Sequence, residues 1–190
     1  SDASVNIGGN QSGPLTATAN FVVKKMIFGG GAMTFSPDEG VGPSVNSATL
    51  DFQTDLTLTS GNFGYSGGSL SVGSLAGKEG AETRGNDNVF TAIGSQSFLG
   101  GSGGERLYVG MSGTGNRVMI LNGATAKTEP ILGYNAAGDG NAVVVSGTGA
   151  SLESGSHVFI GVEGGDNALV VSNGASLVTS GSKGDVLLGG

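Results

Sequence analysis

Three stretches, LYVGMSGTGNRVMILNGATAKTE (107–129), ILGYNAAGDGNAVVVSGTGASLESGSH (131–157) and VFIGVEGGDNALVVSNGASLVTSGSKGD (158–185), repeat one pattern, and VLLGG (186–190) begins a fourth copy. Each copy runs through a short apolar segment, a Gly-rich turn, an asparagine, a second apolar segment, a Gly-Ala or Gly-Thr-Gly-Ala turn and a third segment. Asn116, Asn141 and Asn167 recur at intervals of 25 and 26, and Ala124, Ala150 and Ala175 at intervals of 26 and 25. Gly110, Gly133, Gly161 and Gly189 close the first segment of each copy at intervals of 23, 28 and 28. A period of about 26 residues with small insertions at the turns is the mark of a stacked-repeat architecture.

The apolar segments are three to six residues long, rich in Val, Ile, Leu, Phe and Tyr, and bounded by Gly, Ser, Asn and Asp. That is the composition of short strands joined by turns. No segment is long enough for a helix, and glycine at this density would weaken one. Three strands and three turns in about 26 residues make one coil of a single-stranded parallel β-helix, whose strands pair with the coils above and below. One coil cannot bury its apolar side alone. Stacking coils at the strand spacing of about 4.8 Å makes a continuous core and gives each backbone amide a partner.

The chain has 190 residues, 39 of them glycine, no cysteine or tryptophan, 12% charged residues and a net charge of −7. Glycine at that level without a collagen period ordinarily signals low complexity. Here it falls at turns between apolar segments, which fits a turn-dense solenoid of about seven coils in one elongated domain, 1–190. The eight Lys and Arg are scattered apart from Lys24 and Lys25, so the clustered basic face that nucleic acid requires is missing. Zero cysteines exclude a disulfide framework. No apolar segment approaches the roughly 18 residues of a transmembrane helix. The chain begins at Ser1 and stops in mid-repeat at Gly190, which reads as a processed or trimmed piece of a longer protein.

Upstream of the regular repeats the pattern loosens. Residues 1–19 read as a cap, a leader or a first irregular coil, and 20–106 as irregular coils with loops. NFVVKKMIFGGGAMTF (20–35) predicts two strands around its triple glycine, followed by a loop over 37–47. ATLDFQTDLTLTS (48–60) alternates in the manner of half-buried strands, with Leu50, Phe52, Leu56 and Leu58 inward. Gly61-Asn62 and the run SLSVGSL (69–75) come next. AGKEGAETRGNDN (76–88), with Lys78, Glu79, Glu82, Arg84 and Asp87, resembles an excursion from the coil. Asn88 precedes Asn116 by an interval of 28 and Asn62 precedes Asn88 by 26, so spacing alone extends the asparagine series upstream.

Asn116, Asn141 and Asn167 are the most regular polar positions. Asparagine tolerates left-handed turn geometry, and its amide can bond the same amide one coil away, as in stacked cross-β packing, so a structural ladder is expected. Calcium is the alternative, because Gly138-Asp139-Gly140-Asn141 and Gly165-Asp166-Asn167 offer hard oxygen ligands. Against it, calcium-binding nonapeptide repeats recur every nine or so residues, and Gly115-Asn116 lacks the acid. GGSGGERLY (100–108) has a nonapeptide glycine frame but carries Glu105 in place of Asp and occurs once.

A catalytic set is harder to assemble. The single histidine, His157, precedes an apolar segment at a coil corner, where a solvated turn residue is the default over a general base. Paired carboxylates would come from Asp38-Glu39, from Glu79 and Glu82, or from Asp51 and Asp55, which share parity if one strand carries both. No Arg or Lys in that segment completes a lyase-like set, and solvated acids are the simpler reading. Tyr108, Tyr134 and Phe159 fall in corresponding segments of successive copies, either as packing residues or as a stripe on which a glycan stacks.

At GNAVVVSGTGASLESGSHVFIG and DNALVVSNGASLVTSGSKGDVLLGG the chain resembles repeats of large bacterial surface proteins, the passenger regions of autotransporters and the related repeat of proteins with PEP-CTERM sorting tails. VVKKMIFGGGAMTF and ATLDFQTDLTLTSG look like the autotransporter-associated β-strand repeat. The resemblance implies a right-handed β-helix exported to the cell surface or beyond, serving as adhesin, stalk or matrix component. The combined expectation is an all-β, right-handed parallel β-helix that acts as a non-enzymatic extracellular structural or adhesive rod, without a cofactor. Its partners would be a host, cell-surface or glycan ligand, or further copies joined through terminal coils into filaments. A glycan-cleaving β-helix enzyme of lyase or hydrolase type and a calcium-stabilised repeat module are the alternatives.

Overall fold

The computed structural model describes residues 86–87, 89–95, 97–100, 106–181 and 184–189 in full, and upstream of them the backbone of the strands alone. Every regular element among them is a strand. The period-two pattern is visible in β13 (Arg117–Leu121) and β16 (Ala142–Ser146), where buried residues alternate with partly exposed ones. One face of each strand therefore meets the core and the other meets the outside.

The strands form three parallel sheets. The first stacks β1 (Ser4–Ile7), β3 (Lys25–Phe28), β6 (Thr49–Phe52), β9 (Ser69–Val72), β12 (Arg106–Val109), β15 (Glu129–Leu132), β18 (Val158–Ile160) and β21 (Val186–Leu188). The second stacks β4 (Met33–Phe35), β7 (Leu56–Leu58), β10 (Val89–Ile93), β13, β16 and β19 (Ala168–Ser172). The third stacks β2 (Phe21–Val23), β5 (Pro43–Asn46), β8 (Gly61–Ser66), β11 (Ser97–Gly100), β14 (Thr125–Lys127), β17 (Ser151–Ser154) and β20 (Ser176–Thr179). From β3 onward the chain visits the sheets in the order first, second, third, and returns one coil higher each time. This is a parallel β-solenoid with three strands per coil and about 26 residues per coil, and its fully described part comprises about four coils.

Register puts like over like. Phe90, Val118, Val143 and Leu169 stack in the second sheet, with Ala92, Ile120, Val145 and Val171 two residues on. Leu99, Ala126, Leu152 and Leu177 stack in the third. Leu107 over Pro130, and Val109, Leu132, Ile160 and Leu188, complete the first. From β10 to β17 these inward residues are buried. In the last described coil, with a neighbour on one side only, Val171 and Leu188 are 39% and 76% exposed.

Two corners explain the Gly, Asp and Asn signatures of the repeat. The residue before each ladder position, Gly115, Gly140 and Asp166, has φ of 71, 64 and 55°, and Asp87 in the preceding coil has φ of 57°. The residue after each second-sheet strand, Gly94, Asn122, Gly147 and Asn173, has φ of 92, 50, 96 and 53°. Both corners turn through the left-handed region that Gly, Asn and Asp enter at least cost.

Several upstream expectations are corrected. Residues 20–35 hold three strands rather than two, because β2 and β3 belong to different sheets and the chain turns between Val23 and Lys25. The loop expected over 37–47 contains β5, and Gly61-Asn62 opens a further strand, β8. Strands of three or four residues fall below what local pattern can register, and the neighbouring coil supplies their pairing. Ser4–Ile7 is a strand continuing the first sheet, in register with 25–28. Asp51 lies in the first sheet while the strand after Asp55 lies in the second, so the two acids do not share one strand. The alternation of 48–60 runs over strands of two different sheets. Leu50 and Phe52 do stand in register, through Leu70 and Val72, with buried Leu107 and Val109, and Leu56 and Leu58 with buried Phe90 and Ala92.

The interval between first-sheet neighbours is 24 from Met26 to Leu50 and 20 from Leu50 to Leu70, then 37 from Leu70 to Leu107. Leu56 to Phe90 spans 34 and Asn62 to Phe98 spans 36. All three long intervals contain the segment between β9 and β10, so the extra length of that coil falls there. The excursion expected at 76–88 belongs to this interval and, but for Asn86 and Asp87, lies outside the described residues.

The core assignment has a direct consequence. Ile120→Ala, in the middle of three stacked inward residues, lowers unfolding free energy by about 2–5 kcal/mol in urea titration. Met119→Ala, one residue along on the outer face, lowers it by about 1 kcal/mol or less.

Candidate functional site

Asn116 and Asn141 have no exposed surface, each at the corner that leads into a second-sheet strand. The backbone N–H and Nδ2 of Asn116 both donate to Oδ1 of Asn141, at 2.9 and 3.2 Å. Those of Asn141 both donate to Oδ1 of Asn167, at 2.9 and 3.0 Å. Nδ2 of Asn167 donates to the carbonyls of Gly138, Gly164 and Gly165 at 2.9, 3.0 and 2.9 Å. Each side-chain amide thus fastens one coil's turn to the next, satisfying a backbone donor that the turn leaves without a strand partner.

A second series flanks the first, two residues upstream. Asn86 Oδ1 accepts from Thr114 N at 3.0 Å, and Asp139 Oδ1 accepts from Gly165 N at 2.7 Å. The oxygens offered as calcium ligands at Asp139, Asn141 and Asn167 therefore each accept protein N–H groups, and Asp166 fills a left-handed corner. Among the described residues no three His, Cys, Asp or Glu gather around a common point. Asn62 does not extend the asparagine series. It pairs with Phe98 in the third sheet, whereas the series precedes second-sheet strands. The spacing matches because each coil offers several positions one period away from any reference.

The outer face of the first sheet gathers the chain's most varied chemistry. Arg106 pairs with Glu129 in register, and Tyr108 with Ile131 and then Phe159. These side chains alternate with the inward Leu107, Val109, Pro130, Leu132 and Val158, so they point away from the core. Even so, Tyr108, Ile131 and Glu129 are only 7%, 4% and 8% exposed. Tyr134, from the turn after β15, stands edge-on to Tyr108 with ring centroids 5.6 Å apart. His157 stands edge-on to Phe159 at 5.5 Å. Arg106, Glu129, Tyr134, His157, Phe159 and Val162 are among the residues that bound a cleft of about 360 Å³, with Tyr108 behind Tyr134 and Arg106.

Within that cleft Arg106 Nη1 donates to the Tyr108 hydroxyl at 3.3 Å. This bond and the charge interaction with Tyr108 raise the guanidinium pKa, Glu129 and Tyr134 adding to the effect against an opposing burial. The arginine is held as a fixed cation. His157 is not a solvated corner residue: it is half-buried, and its Nδ1 is buried with no hydrogen-bond partner. Its carbonyl accepts from Ser154 Oγ at 3.0 Å.

Of the other sequence candidates, Asp38, Glu39, Asp55, Glu79, Glu82, Lys24 and Glu105 lie outside the described residues. Asp51 stands in register with Ser71, and Ser71 with Tyr108. Sequence reading overlooked Arg106 and Glu129. The signal that could have found them is their common offset before the first-sheet apolar segments of successive coils, obscured because the interval between the two is shorter than the period of the asparagines.

No family model, curated protein or solved structure matches the chain. The ladder itself is testable. Asn141→Ala removes the acceptor of two Asn116 donors inside the protein and lowers stability by about 2–4 kcal/mol in chemical denaturation. Gly110→Ala acts at the same place, since a Cβ there collides with the Asn141 side chain and φ is 61°. Asn173→Gly, at an exposed left-handed corner, changes stability by no more than about 0.5 kcal/mol.

Proposed function

We propose that the chain is a non-enzymatic structural or adhesive segment of a bacterial surface or secreted protein, a β-solenoid rod that holds an outer face away from its point of attachment. The observation that carries this reading is the continuity of the coil-to-coil bonding. The Asn116–Asn141–Asn167 amides, three parallel sheets and a stacked apolar core repeat without a break from coil to coil. Such a stack resists local opening, because each coil is bonded on both sides and little of its backbone is free for a protease. The resemblance of its repeats to those of exported surface proteins supports the location.

The outer cleft favours binding over bond cleavage. Glycosidic hydrolysis needs two carboxyl groups across the scissile bond, and Glu129 is the single carboxylate among the residues that line the cleft. With one carboxylate, one arginine and one histidine, the face is suited to holding a ligand.

Treatment of intact producing cells and their medium with a membrane-impermeant amine-labelling reagent is expected to tag the protein, whose Lys127 is 42% exposed, while cytoplasmic markers stay untagged. Tagging only after lysis would overturn the surface assignment. Incubation with pectin, alginate and xylan is expected to release no reducing or unsaturated ends, and their appearance would favour the lyase or hydrolase reading. Because the ladder oxygens are already engaged by N–H groups, about 5 mM calcium is expected to shift Tm by no more than about 1 °C. A large rise would revive the calcium module.

A further inference from the structure

We infer that the outer cleft bounded by Arg106, Glu129, Tyr134 and His157 binds a neutral saccharide unit, which names a partner class for the adhesive role proposed above and rests on that role only for its biological setting. The residues come from three successive coils, β12, β15 with its following turn, and the corner before β18, and parallel register brings them side by side.

Three properties of the cleft select this ligand. Its charges oppose one another: the cation of Arg106 disfavours a cationic guest, and the carboxylate of Glu129 disfavours an anionic one. Its polar groups alternate in kind. Arg106 donates and Glu129 accepts, side by side in register, and Glu129 is only 8% exposed. A purely apolar guest would cover both without bonding either. Sugar hydroxyls, each donor and acceptor at once, satisfy groups of both kinds.

The third property is a platform. Tyr134 is 43% exposed and Val162 is 36% exposed at the rim, and the edge contact with Tyr108 fixes the Tyr134 ring. A rigid, half-open aromatic ring beside hydrogen-bonding groups presents an apolar surface to the C–H face of a pyranose and polar atoms to its edge. The volume of about 360 Å³ lies at the small end of ligand sites, which span about 300–1,000 Å³. That suits one or two sugar rings rather than a long chain enclosed along its length.

The test uses the whole chain and four probes, maltose, cellobiose, lactose and N,N′-diacetylchitobiose, each at about 20 mM, a concentration matched to millimolar affinity. Nε-trimethyl-lysine serves as a cationic comparison. Saturation-transfer NMR from protein aromatic protons reports contact. Tyrosine fluorescence reports the same event without interference, because the chain has three tyrosines and no tryptophan. At least one disaccharide is expected to receive saturation on its ring protons. Tyr134→Ala and Glu129→Gln are each expected to weaken that binding by about tenfold, while Val178→Ser, on the outer face of the third sheet, leaves it unchanged.

Circular dichroism identical to the parent chain qualifies each variant. Should one lose the fold, the other variant and the direct ring-proton contacts of the parent chain decide the question. Failure of all four sugars on folded protein, binding of trimethyl-lysine in their place, or sugar binding that survives both substitutions would overturn the inference. None of these outcomes touches the rod, and a failure of surface labelling on intact cells would leave sugar binding standing.

Discussion

The side-chain amide of Asn141 accepts two hydrogen bonds from one coil and donates into the next through the oxygen of Asn167. On that repeated bond depends the register of everything else. In a parallel stack a slip of one residue would turn every inward side chain outward, so Phe90, Val118 and Val143 can stay in line only if each coil enters its strand at the same point. The asparagine fixes that entry point. It also occupies the place where the backbone turns and cannot use the sheet, and there an unbonded buried N–H would be costly.

Geometry and packing reinforce one another at this corner. The residue before each of Asn116, Asn141 and Asn167 lies in the left-handed region, and it is Gly or Asp in all three. Gly110 and Gly133 keep their places for a related reason, since a Cβ at either would meet the amide of Asn141 or Asn167. Glycine abundance here reflects a stack in which turns lie directly upon turns. At the rim Asn86 adds a neutral bond and the Asp139 carboxylate a charge-assisted one, whereas the ion pair of Lys127 and Glu153, 3.9 Å apart and 42% exposed on each side, contributes little.

A solenoid separates stability from function by face. Inward residues repeat because the core is the same in every coil. Outward residues are free to differ, and on the first sheet they do: Arg106, Glu129 and His157 share an edge while Tyr108, Ile131 and Phe159 share a row. Sites of this kind draw each group from a different coil, so their spacing follows the coil length.

The sequence by itself determined the period, the three strands per coil and the positions of Asn116, Asn141 and Asn167, because those features repeat and each repetition checks the last. It also marked the excess length ahead of Asn116. What it did not determine was the short upstream strands such as Pro43–Asn46, which have weak local preference and exist because a neighbouring coil pairs with them. Only the tertiary structure decided that Asp51 lies in a different sheet from the strand that follows Asp55, that Asn62 belongs to another sheet, and that Arg106, Glu129, Tyr134 and His157 meet. Their separations along the chain carry no chemical meaning by themselves. They acquire one when coils of unequal length are brought into register by hydrogen bonds that count strands rather than residues.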